Sequence, residues 1–172
     1  MGVDMHVVLL RGINVGGHNK LPMAELKDVL NELGAHDVQT YIQSGNAVMQ
    51  GYIAADAISD AIEKTKGFRP KVMVFPIGLF AQIANASQFP TDDGKALHIW
   101  FLSGESDFDS VKADALAIPS ESYLVTEHAI YLHAPDGIGR SKLAAKIESL
   151  AGVPATARNW NTVRKLLALA NA

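Results

Sequence analysis

The chain opens with an unbroken apolar run, HVVLL at residues 6–10, that stops at Arg11. A short run of this kind predicts a buried strand over 6–11. The period then changes. In PMAELKDVLNELG (22–34), Met23, Leu26, Leu30 and Leu33 recur at helical spacing, with Pro22 suited to the first turn and Gly34 to the stop. VQTYIQ (38–43) and AVMQGY (47–52) read as strands joined at SGN, a hairpin-type connection. AADAISDAIEKTKG (54–67) returns to the helical period through Ile58 and Ile62, and KVMVFP (71–76) is again a strand. The order is βαββαβ, the ferredoxin-like unit.

The same order then recurs without the residues recurring. IGLFAQIANAS (77–87) predicts a helix and QFPTDDGK a polar connector. ALHIWFL (96–102) is a strand, DFDSVKADAL (107–116) a helix, and SYLVT (122–126) with AIYLHA (129–134) a tight hairpin. RSKLAAKIESLAG (140–152) is a helix, VPATAR (153–158) a strand that Pro154 confines to a sheet edge, and TVRKLLALA (162–170) a closing helix. The expected fold class is α+β: two ferredoxin-like halves packed together, plus a C-terminal helix. The first half covers 1–78, a helix and connector 79–95, and the second half with its closing helix 96–172, as one compact unit.

This topology assigns addresses to the polar loops. In each half, strands 1 and 2 run one way and strands 3 and 4 the other. The loop after the first strand (11–20) and the SGN turn (44–46) therefore share one edge of the first half. DGIGRSK (136–142) and RNWNT (158–162) share one edge of the second. Both second-half segments open helices, with Ser141 expected to cap one and Asn161 or Thr162 the other. Two helix N-termini beside Arg140, Lys142, Arg158 and Arg164 resemble a cradle for phosphate or carboxylate. The ordinary alternative is capping plus solvated cations.

Candidate ligand contacts at this edge are Arg140, Ser141, Lys142, Arg158, Asn159 and Asn161. At the first edge they are Asn14, His18, Asn19, Lys20, Ser44 and Asn46, while Arg11 suits a structural pairing with Glu25 or Asp28. RGINVGGHNK lacks the dinucleotide spacing and GIGRSK the P-loop spacing. On the second sheet, Trp100, Tyr131, His98 and His133 are expected to share one face. There they read either as a base-stacking platform or, in the competing view, as a seam between the halves.

Composition narrows the classes. The chain has 172 residues, 48% hydrophobic and 19% charged, which excludes a disordered protein. It has no cysteine, so disulfides and thiolate metal sites are excluded and a reducing compartment, the cytoplasm, is expected. VMVFPIGLFAQIANA is too short to span a bilayer and is interrupted by Pro76 and Gly78. MGVDMHVVLL lacks a basic region and a cleavage site, so no signal peptide is expected there.

The formal charge of −3 divides into −1 over residues 1–91, −7 over 92–136 and +5 over 137–172. That disfavours nucleic acid as a partner by net charge and leaves a local anion site open. The six histidines show no ligand spacing and no nucleophile–histidine pair stands out. No metal and no cofactor are expected, and catalytic residues are unassigned.

The leading reading is a protein that binds a phosphate-bearing or other anionic ligand, a nucleotide or nucleic-acid end included. One alternative is a small metal-independent enzyme on an anionic substrate, with His18 or Asp136 moving a proton. Another is a structural or interaction protein whose Arg and Asn loops lock the halves together. Whether the chain is an enzyme, and its oligomeric state, stay open; no membrane partner is expected.

LLRGINVGGHNKLPMAELKDVLNELG, VQTYIQSGNAVM, YLHAPDGIGRSKL and PATARNWNTVRKLLAL together resemble the bacterial domain-of-unknown-function family number 1697, from about residue 5 to residue 170. The resemblance implies an α+β protein of this size and implies no activity. Where the family pattern has Phe after SGN, this chain has Met49, a departure expected to concern packing.

Overall fold

The computed structural model describes residues 4–42 and 44–171; residue 43, at the end of the second expected strand, lies outside them, as do residues 1–3 of the N-terminal reading. The element order is β1 (Met5–Arg11), α1 (Met23–Glu32), β2 (His36–Thr40), β3 (Asn46–Gln50), α2 (Ala55–Lys66), β4 (Lys71–Pro76) and α3 (Ile77–Asn85). There follow β5 (Leu97–Leu102), α4 (Ser110–Leu116), β6 (Ser122–Val125), β7 (Ala129–His133), α5 (Lys142–Ala151), β8 (Ala155–Asn159) and α6 (Trp160–Ala170). The sheets have orders β2-β3-β1-β4 and β6-β7-β5-β8, all neighbours antiparallel, the ferredoxin-like arrangement twice over. The chain forms two compact units, Met1–Ala81 with Arg164–Ala172, and Gln82–Val163.

In the first unit, alternation along β1 sends Val8 and Leu10 to the helices and Val7 and Leu9 to the other face. Val8, Leu10, Ala47 and Met49 pack with Leu26 and Leu30 of α1 and with Ile58 and Ile62 of α2. Met49 is fully buried there, so the departure at this position falls in the core. On the opposite face Phe75 packs against Phe80, ring centroids 6.2 Å apart. Glu25 accepts from Lys66 Nζ at 3.0 Å, which ties α1 to the end of α2. At the outer strand β2 the register shifts between His36 and Gln39, and Asp37 there has φ 49°.

In the second unit, Trp100, Leu102, Ile130 and Leu132 form the helix-facing core with Ala113 of α4 and Leu143 and Ile147 of α5. Tyr131 lies on the other face, fully buried, and its hydroxyl donates to the Ile83 carbonyl at 2.6 Å. β8 follows Pro154 and occupies the outer position expected for it.

The register corrects the aromatic-face expectation. Ile99 stands opposite Tyr131, and Trp100 opposite Ile130. Directly paired residues share a face, so His98 and Trp100 lie on the helix side and Tyr131 and His133 on the other. A one-residue offset is enough to separate them. His133 instead stacks on Phe89, with ring centroids 5.9 Å apart and planes at 11°. These four rings form no common stacking platform.

Candidate functional site

At the edge of the first unit the loop after β1 is a small ordered hairpin. Asn14 N–H donates to the Asn19 carbonyl at 3.0 Å, and Val15 and His18 pair across the tip. Gly16 and Gly17 occupy the two central positions with φ of 56° and 78°, the signature of a type I′ turn. Side chains complete the frame. Asn14 Nδ2 donates to the Leu21 carbonyl at 2.9 Å while its Oδ1 accepts from Leu21 N–H at 2.7 Å. Asn19 Nδ2 donates to the Gly12 carbonyl at 2.9 Å. His18 and Lys20 are exposed.

The SGN turn is fastened beside this hairpin. Leu10 N–H donates to the Gly45 carbonyl at 2.8 Å, and the fully buried Asn46 donates through Nδ2 to Tyr41 O and Ser44 Oγ at 3.1 and 2.9 Å. The two loops share an edge, as the topology requires. Asn14, Asn19, Ser44 and Asn46 spend these bonds on loop architecture; His18, Asn19, Lys20 and Ser44 are the exposed members of the set.

At the edge of the second unit, β7 ends at His133 opposite Leu97, and β8 ends at Asn159 opposite His98. Both strands flank the start of β5, about 10 Å apart at the usual strand spacing. α5 then begins at Lys142, where Ser141 is the cap, its Oγ accepting from Ala144 N–H at 3.0 Å. Arg140 and Lys142 are exposed on either side of that cap, while Ser141 is buried.

The last helix differs from expectation. β8 passes directly into α6, and Asn159 Oδ1 accepts from Thr162 N–H at 3.0 Å, so Asn159 is the cap rather than Asn161 or Thr162. Asn161 instead packs on Gly94, its Oδ1 filling the space that any Cβ at that position would need. Trp160 N–H donates to the Gly94 carbonyl at 3.1 Å, which holds the connector against this junction.

Two residues take up unexpected positions. Arg158 is paired with Ile99, so its side chain leaves the sheet on the Tyr131 face, opposite the face covered by α5. Burial pushes its guanidinium down to about 10, still fully charged at neutral pH, and its Nη1 donates to the Ala157 carbonyl at 2.8 Å. The fold thus separates Arg158 from Arg140 and Lys142. His98, by contrast, lies at the edge itself, opposite Asn159, with its ring 6.0 Å from Trp100. Its Nδ1 is buried without a hydrogen-bond partner, and burial lowers its pKa, so the ring is neutral at pH 7. A histidine at the start of a strand, facing a helix layer, was the available sequence signal for it. Asp136, the proton-transfer candidate named beside His18, accepts from Ser120 Oγ at 2.6 Å.

No group of three or more His, Asp or Glu side chains among the described residues could hold a metal ion. Nor is any helix among them long and apolar enough to cross a membrane. The arrangement at the second edge can donate hydrogen bonds from helix N–H groups and supply positive charge.

No curated protein matches this chain. Among solved structures it is similar to a conserved bacterial protein, SP0830, from Streptococcus pneumoniae, with a TM-score of 0.67 and 24% identity over 96% of this chain and 98% of that one. That likeness concerns the fold. A family model described as a protein of unknown function matches residues 3–131, a stretch holding RGINVGG and TYIQSGN and ending ahead of GIGRSK and RNWNT. Three quarters of the sequence thus carries the pattern, and the chain belongs to the DUF1697 family.

Proposed function

We propose that this protein binds a phosphate-bearing or other anionic ligand, the nucleotide and nucleic-acid-end classes included, at the edge of the second unit where α5 begins. The observation that carries the reading is the pair of exposed cations, Arg140 and Lys142, bracketing the capped start of α5. The Ser141 cap takes one N–H, whereas a helix start presents about four, and the helix dipole favours negative charge there. α6 begins at the same sheet edge with its own cap, Asn159, which adds a second positive helix end. The reading takes a bacterial cytoplasm as its compartment, in keeping with the cysteine-free composition.

A thermal-shift series with inorganic phosphate, sulfate, sugar phosphates and nucleotides tests it. A ligand that binds only the native state at a hundredfold excess over Kd adds about 2.7 kcal/mol of stability, a readily measured rise in Tm. Arg140→Ala and Lys142→Ala should each reduce that rise while leaving the unliganded Tm within about 0.5 kcal/mol of stability, as expected for exposed substitutions. Arg158→Ala is the contrast, since its side chain serves the other face. A rise that both exposed variants retain in full would refute the reading.

A further inference from the structure

We propose that the groove between α4 and α5 is a second ligand site, one that takes a short-chain amphipathic monoanion: an apolar body with a single carboxylate head. The groove is open to solvent and offers about 470 Å³, within the range of small-molecule sites. Its walls are two helical stripes of identical spacing, Lys112, Ala115 and Leu116 on α4 and Lys146, Ser149 and Leu150 on α5. Residues at i, i+3 and i+4 share a helix face, so each helix presents one cation at one end of its stripe and a leucine at the other. The surface is mostly apolar, with Leu116 and Leu150 half-buried along it.

The geometry is fixed by backbone bonds at one end. Asp109 N–H donates to the Leu150 carbonyl at 3.2 Å, and Ser106 Oγ donates to the Ala151 carbonyl at 2.9 Å, so the start of α4 is fastened to the end of α5. The helices therefore run antiparallel and the groove is ready-made. Charge selects the head group. Asp109 caps α4 through Lys112 N–H at 3.1 Å and lies 3.9 Å from Lys112 Nζ, which balances that lysine. Lys146 has no ion pair among the described residues, so the lining carries one net positive charge, matched by a monoanion rather than a phosphate dianion. The Ser149 hydroxyl can donate to the same head, while Ala115, Leu116 and Leu150 cover the apolar body. One turn of each helix spans about 6 Å, which suits a short chain over a long lipid tail.

Titration of the isotope-labelled full chain with octanoate, followed by amide chemical shifts, tests the site. Octanoate should shift amides of α4 and of the second half of α5. Octanol should bind at least roughly tenfold more weakly, for want of the head-group charge. Octyl phosphate should bind no better than octanoate, and inorganic phosphate should leave these amides unmoved. Lys146→Glu should weaken octanoate binding by roughly tenfold or more, and Ala115→Trp, which fills the groove from an exposed position, should abolish it. Lys142→Ala, one turn from Lys146, should weaken octanoate binding less than Lys146→Glu while lowering the phosphate-induced rise in Tm, which separates this site from the anion site at the start of α5. Absence of octanoate shifts in α4 and α5, or undiminished binding by Lys146→Glu, would overturn the proposal. Equal binding of octanol would do the same, as would tighter binding of octyl phosphate when it is read from the amides of α4.

Discussion

Replacing Gly45 with alanine tests how tightly the SGN turn is pressed against β1. Gly45 has φ +90°, and a Cβ added there would lie 2.7 Å from Leu10 Cβ, 3.1 Å from Ile13 Cδ1 and 3.1 Å from the Leu10 carbonyl oxygen. Two costs add. A left-handed backbone costs an L-residue about 1–2 kcal/mol. Overpacking against atoms fixed to the backbone costs about 1–3 kcal/mol. Reduced freedom of the unfolded chain returns about 0.4–1 kcal/mol. The net loss is about 1–4.6 kcal/mol, or roughly 2–18 °C in Tm for a chain of this length.

The turn cannot back away cheaply, because Leu10 N–H is bonded to the Gly45 carbonyl at 2.8 Å. Gly17→Ala is the control. Its φ is +78°, yet no atom lies within 4 Å of an added Cβ. Only the backbone cost applies there, about 1 kcal/mol after the unfolded-state offset. Urea denaturation followed by circular dichroism, with unchanged m-values, would measure both. Equal losses in the two variants would refute the close approach of the turn to β1.

Two further predictions concern the second unit. Tyr131→Phe removes the hydroxyl donor from the Ile83 carbonyl, which keeps the Ala86 N–H at 3.3 Å, and should cost about 0.5–1.5 kcal/mol by urea midpoint, so an unchanged midpoint would contradict that bond. His98 titrates below its ordinary 6.5 because burial disfavours the charged ring. As pH falls below that ordinary value, the unfolded chain takes up the proton first. Stability then declines until the folded-state pKa is passed, and is level beyond it. His98→Leu should remove this part of the decline, read as the difference between the two stability–pH curves; parallel curves would contradict it.

The order of elements was legible because each segment keeps one period, 3.6 or 2, over enough residues to be distinct. Pro154 marked an outer strand and Ser141 marked a helix start, each for a local covalent or hydrogen-bonding reason. The register was not legible. Whether Tyr131 stands opposite Ile99 or Trp100 depends on how β5 and β7 slide, and one residue of offset moves every side chain to the other face. The same dependence hid the separation of Arg158 from Lys142, since Arg158 takes its face from its pairing with Ile99. The cap of α6 was ambiguous because RNWNT offers Asn159, Asn161 and Thr162 within four residues, all competent acceptors. The α4–α5 groove left no motif, for leucines and lysines at helical spacing describe most surface helices.

Two four-stranded sheets leave four outer strands, β2, β4, β6 and β8, each a template onto which another chain could add. Each is blunted differently. β2 carries the register shift at Asp37, and β4 begins after Pro70 and ends on Pro76. β6 is only four residues long, and β8 follows Pro154. A bulge bends the ladder away and proline withholds a donor, so none offers a long, straight row of N–H and C=O groups. Resistance to strand-by-strand aggregation is thus written into the margins of both sheets, and replacing Asp37 with a β-branched residue that straightens β2 would be the way to lose it.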